Sequence, residues 1–170
     1  MLELKSLEWE SIASNGRLTA QLIAEFQNGD DSALGELYQQ LCHQNTVSTI
    51  AFVAVPHLVS MAQNSSKTRH KAILLSIVGS VVASRHCYSR SSAKLRDDWK
   101  EDFMQACDAG RILAAETLTA VGLDADDSLL LIAGLAALHG HFNLALLLDS
   151  GLDFYCPKCG KTIVFGEDED

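Results

Sequence analysis

The sharpest chemistry in the chain lies near its end, in Cys156-Pro-Lys-Cys159-Gly160. Two cysteines separated by two residues suit a pair of thiolates on one tetrahedral metal, and the glycine lets the backbone amides turn towards sulfur. A structural zinc ion takes four ligands, and the chain has no second Cys-x-x-Cys. His139 and His141 are the expected partners of Cys156 and Cys159. Cys107 with a histidine, or residues of a second subunit, are the alternatives. Without metal the same motif is a redox-labile dithiol or a knuckle that holds nothing. No glutamate stands beside the cysteines at protease or deaminase spacing, so catalytic zinc is not expected.

The other titratable groups read as structural. His43-Gln44 falls at a turn and suits capping of exposed backbone groups. His57 follows Pro56 and reads as a half-buried packing residue, while His70 and His86 read as solvated surface. The pairs Asp97-Asp98 and Glu101-Asp102 put carboxylates at i, i+4 on one helix. Their ordinary role is a solvated face partnering Lys94 and Lys100. Gly-x-Ser-x-Gly, Gly-x-Gly-x-x-Gly, a P-loop and His-Glu-x-x-His do not occur, and the expectation is a protein without catalytic activity.

The elements that must position these residues are helical. The chain has 170 residues, enough for one domain with a real core. Seven segments carry helical periodicity. Leu18, Leu22, Ile23 and Phe26 form the first stripe, ending at Asn28-Gly29. Asp30 or Asp31 is placed to cap the next, which carries Leu34, Leu37, Tyr38 and Leu41. A third helix is expected from about Val47 to Ala62, kinked or restarted at Pro56. Thr68–Ser84 is apolar on most sides and belongs in the centre of the core. After a polar loop, a long helix bearing Leu95, Trp99 and Phe103 reaches Val121, with Gly110 a candidate break. Leu129–His139 and Asn143–Asp149 complete the series. The end changes character: Phe154 to Phe165 reads as a β-hairpin around the cysteine knuckle.

Charge narrows the partners. The net charge is −9, yet residues 67–100 hold eight Lys/Arg against Asp97 and Asp98, which is +6 locally and leaves −15 elsewhere. An acidic surface disfavours nucleic acid and favours a basic partner. The basic segment surrounds an apolar helix without interleaved aromatics, so it does not read as a nucleic-acid site. The apolar runs fall short of the roughly 20 residues of a membrane span, and the acidic start does not read as a signal peptide. A cytoplasmic protein without disulfides or a membrane partner is expected, with Cys42, Cys87 and Cys107 acting as small hydrophobes.

The run from Leu34 to Ala62 adds a resemblance. It holds His43-Gln-Asn-Thr-Val47 between two helices and Ala54-Val-Pro-His-Leu58 within the second. This resembles bacterial HEAT-like repeat proteins, where a His-Gln-Gly-Thr-Val turn precedes a helix with Ala-Val-Pro-x-Leu. Asn45 stands where that family usually has glycine, and asparagine tolerates the same left-handed backbone. Ser48 replaces a usual aromatic. Ala136 to Asp153 is similar to the second half of an ankyrin repeat and is taken as one more helix pair. The resemblance implies an all-α HEAT-like α-solenoid over residues 1–151, followed by a knuckle-like hairpin over 152–166 and an acidic tail over 167–170. It also implies a protein-binding role, in particular an immunity protein that neutralises a cognate, basic toxin. The alternative is a zinc-binding regulatory protein or metal-dependent enzyme using the cysteine pair.

Overall fold

The computed structural model describes residues 1–43, 46–87, 95–120, 122–149, 154–155 and 162–163. Among these the chain is all-helical apart from two short strand pairs. The helices are α1 (Glu8–Ile12), α2 (Gly16–Gln27), α3 (Ala33–Leu41), α4 (Ala51–Asn64), α5 (Thr68–Cys87), α6 (Asp97–Leu118), α7 (Ala125–Leu138) and α8 (Phe142–Asp149). β1 (Cys42–His43) pairs antiparallel with β2 (Thr46–Val47), and β3 (Phe154–Tyr155) with β4 (Thr162–Ile163). No helix among the described residues is long and apolar enough to cross a membrane.

The stripes read from the sequence become the core, except that Leu18 of the first is exposed and Tyr38 of the second is half-buried. Leu22, Ile23 and Phe26 of α2 are buried, as are Leu34, Leu37 and Leu41 of α3. The turn after α2 closes as a Schellman motif. Gly29, at φ 97°, donates to the Phe26 carbonyl at 3.0 Å, and Asp30 donates to Glu25 at 3.1 Å. Neither Asp30 nor Asp31 caps α3 directly. Asp30 Oδ1 instead accepts from the backbone and hydroxyl of Ser32, at 3.0 and 2.6 Å.

α5 occupies the centre, as its all-round apolar character requires. Leu74, Leu75, Ile77, Val78 and Val81 are buried, and the helix packs on α4, α6, α7 and α8. Its crossing with α7 is made backbone to backbone. A Cβ placed on Gly79 would lie 2.2 Å from Gly134 Cα, and one on Gly134 would lie 2.9 Å from the Leu75 carbonyl oxygen. Only glycine fits at such a crossing. Consecutive helices also pack in pairs (α2 with α3, α4 with α5, α6 with α7, α7 with α8), and α2 packs on α4 and α4 on α6.

Several expectations need correction. The third helix starts at Ala51, because Thr46–Val47 is drawn into the ladder with Cys42–His43 and Ser48 donates to the Leu41 carbonyl at 3.1 Å. Pro56 then sits inside one continuous helix. It withholds one amide from the Phe52 carbonyl, but α4 buries Phe52, Val53, Val55, Leu58 and Val59, and that packing carries the helix through. α6 likewise runs unbroken past Gly110, whose missing side chain admits Val59 and Leu75 of neighbouring helices. α7 starts at Ala125, ahead of the expected Leu129. Asp124 caps it by accepting from the Asp127 amide at 2.7 Å.

A further short helix, α1, was not foreseen. It delivers Trp9, 1% exposed, to the core. Around it the first residues are held in place. Trp9 Nε1 donates to the Glu3 carbonyl at 2.9 Å, His57 Nε2 to the Leu2 carbonyl at 2.8 Å, and the Met1 ammonium pairs with Asp102.

The α5–α7 crossing generates a sharp expectation. Gly79→Ala should destabilise the fold by about 3 kcal/mol or prevent folding, since the added methyl meets backbone that cannot rotate away. The urea midpoint measures this, and a midpoint within error of the parent would show that the crossing is looser than described.

Candidate functional site

Cys156 and Cys159 lie outside the described residues, as do 152–153 and the acidic tail 167–170. The paired residues that bracket the knuckle are Phe154 with Ile163 and Tyr155 with Thr162. His139 and His141 are both exposed, on the turn from α7 to α8. Their backbones form a second Schellman motif about Gly140, with Gly140 donating to Ala137 at 2.9 Å and His141 to Ala136 at 2.8 Å. Among the described residues no three histidine, cysteine or acidic side chains form a group able to hold a metal. Cys107 is a poor ligand candidate. Burial, reinforced by Asp108, pushes its thiol up to about 12, so the metal-binding thiolate is disfavoured.

Two other surfaces have the character of sites. The first is a cleft of about 590 Å³ between α3 and α5. α3 packs on α2 and β1, whereas α5 is drawn to α7, and the two helices stand apart. The walls are Leu34, Gly35 and Tyr38 from α3, and Ile73, Ile77 and Ser80 from α5. Asp31, Arg69 and His70 stand at its mouth. Asp31 Oδ2 lies 2.9 Å from Lys67 Nζ and 3.2 Å from His70 Nε2, and the lysine hydrogen bond is the main reason its carboxyl is held below the usual value. Arg69 Nε reaches the buried carboxylate of Asp127 at 3.2 Å, while the arginine itself stays 70% exposed.

The second surface is the outer face of α6. Met104 and Ile112 lie two turns apart and are 49% and 59% exposed. Asp97, Glu101, Asp108 and Glu116 share that side at helical spacing. The result is two exposed apolar side chains with Asp108 between them and further carboxylates alongside.

Neither surface was found in the sequence. The cleft depends on how far α3 stands from α5, which periodicity does not encode. On α6 the signal available was the interruption of a polar face by Met104 and Ile112.

Three histidines differ from a surface reading. His57 is 5% exposed, with its ring 5.7 Å from that of Trp9, so it is fully rather than half buried. His70 is not solvated: its side chain is 16% exposed and its ring lies 5.2 Å from Phe26. His86 is exposed at its edge, yet its ring stacks on Phe142 at 4.0 Å. The carboxylates of α6 also have unforeseen partners. Arg96 grips Asp98 with two hydrogen bonds, of 3.0 and 2.6 Å, and Asp102 takes the amino terminus. Lys94 lies outside the described residues.

The buried His57 gives a pH dependence. The Leu2 carbonyl can only accept, so the neutral ring carries its proton on Nε2. Burial holds the folded pKa below the ordinary 6.5, although the Leu2 hydrogen bond works against that shift. Below 6.5 the unfolded chain therefore binds the extra proton first, and stability falls with pH until the folded pKa is passed. His86, lowered by burial and by Arg85, acts in the same direction. Urea midpoints should drop from pH 7.5 to pH 5, and His57→Gln should flatten that slope. An unchanged slope in the variant would remove His57 from the explanation.

No family model, curated protein or solved structure matches this chain.

Proposed function

We propose that the chain is a non-catalytic protein-binding module, a HEAT-like stack of helix pairs that neutralises a basic bacterial toxin by direct contact. The observation that carries this reading is the outer face of α6. Met104 and Ile112 offer apolar area, and the carboxylates around them offer charge of the sign a basic partner requires. Interfaces gain most of their energy from such an apolar centre, while the charged rim steers the encounter. The next-but-one packing of α2 on α4 and α4 on α6 supports a solenoid, in which α6 belongs to one continuous rank. The resemblance of Leu34–Ala62 to HEAT-like proteins, and of such proteins to products of toxin–immunity loci, supports the toxin as partner.

Co-expression with the products of the neighbouring genes tests it. One of them should arrest growth alone, be tolerated beside this protein and co-purify with it as a defined complex. Ile112→Arg should weaken that complex at least tenfold without lowering the unfolding midpoint, since the side chain is exposed. If no neighbour is toxic and none forms a complex, the immunity reading fails.

A second reading rests on the strand pairing that brackets Cys156 and Cys159. Such a hairpin suits a zinc knuckle, in which the thiolates would hold the ion and His139 and His141 would complete its four ligands. The metal would be structural, stabilising the end of the chain. Protein purified without chelator should carry near-stoichiometric zinc by elemental analysis, and Cys156→Ser with Cys159→Ser should lose it. Metal-free wild-type protein after growth in zinc-supplemented medium would dispose of this reading.

A further inference from the structure

One glycine has no internal reason to be a glycine. Gly16, Gly79, Gly110 and Gly134 each sit where an added Cβ would crowd a neighbouring atom, whereas a Cβ on Gly35 would meet nothing within 4 Å. Gly35 lies inside α3, where glycine costs about 1 kcal/mol relative to alanine. It is exposed, and its exposed side forms part of the wall of the α3–α5 cleft. Whatever benefits from bare backbone at that point lies outside the fold.

The rest of the cleft indicates what that is. Ile73 and Ile77 give it an apolar wall, and its volume of about 590 Å³ falls within the range of small-molecule sites. Both carboxylates near its mouth already have a cationic partner, Asp31 in Lys67 and Asp127 in Arg69, and His70 Nε2 also lies 3.2 Å from Asp31. Arg69 engages Asp127 through Nε, and its two terminal nitrogens remain on an exposed side chain. The donors left at the cleft are the Ser80 hydroxyl on its wall and the terminal nitrogens of Arg69, and only the latter carry charge, which suits an anionic head on an apolar body.

We propose that the α3–α5 cleft binds a small amphipathic carboxylate, its apolar chain lying over Gly35 against Ile73 and Ile77 and its head on the terminal nitrogens of Arg69. This site is separate from the outer face of α6 and does not depend on the protein-binding reading.

An amide-resolved NMR titration of the full chain with decanoate, kept below its micelle concentration, tests the proposal. Decanol and decyltrimethylammonium serve as neutral and cationic counterparts. Decanoate should give saturable shifts centred on Gly35, Ile73 and Ile77. Decanol should bind about tenfold more weakly, and the cation should not saturate. Gly35→Leu fills the cleft and should weaken decanoate at least tenfold while leaving the unfolding midpoint unchanged or higher. Arg69→Gln, at an exposed position, should reduce decanoate to the affinity of decanol and leave decanol unaffected. The proposal is overturned by an absence of saturation, by shifts clustered elsewhere, or by either variant binding decanoate like the parent.

Discussion

The fold depends on two helices touching through their backbones. Gly79 and Gly134 remove the side chains that would hold α5 and α7 apart, and dispersion contacts between main chains take their place. The small-residue theme extends beyond the crossing. Ala83 of α5, Ala136 and Ala137 of α7, and Ala145 of α8 form a buried cluster of their own. Three helices thus converge with almost no side-chain volume between them. Larger residues on other sides of α5, such as Leu74 and Val78, remain available for the main core.

That close approach has a consequence on the other flank. α5 leans into α7 and α8, while α3 is held by α2 and by the β1 strand that follows it. The space between α3 and α5 is therefore not closed by helix packing. At its mouth it is bridged electrostatically, from Asp31 to Lys67 and His70. Those exposed charges contribute modestly to stability. They link the α2–α3 turn to the start of α5 across the cleft.

The helices themselves were legible because their stripes are local. Leu22, Ile23 and Phe26, or Leu34, Leu37 and Leu41, announce a buried face within a few residues of chain. Failures arose where a distant partner outweighed a local rule. A restart at Pro56 does not occur because the proline rule concerns the helix alone, whereas burial of α4 supplies what one missing hydrogen bond removes. His70 read as solvated because Asp31 and Phe26 lie far along the sequence, and His86, exposed as expected, gains a ring partner in Phe142 that is equally distant. α1 is too short to carry a periodicity, and only the burial of Trp9 explains it. Among the candidate sites, the cysteine knuckle was conspicuous because its chemistry is contained in four residues. The cleft was invisible because it is a distance between helices.

The basic segment shows how sequence charge and surface charge diverge. Lys67 and Arg69 answer Asp31 and Asp127, carboxylates from other parts of the chain. Arg85 lies 5.6 Å and 5.7 Å from the ring centres of Phe52 and Phe103, where cation–π attraction offsets part of its desolvation. Arg96 forks onto Asp98 and covers the Trp99 ring at 4.4 Å. Among the described residues of that run, Lys67, Arg69, Arg85 and Arg96 thus meet carboxylates or rings of the chain itself. Carboxylates outnumber cations on the exposed side of α6, where Lys100 is also exposed and Arg111 pairs with Asp108. Charge and apolar area coincide on one helix face, and that coincidence is a stronger pointer to a binding surface than either alone.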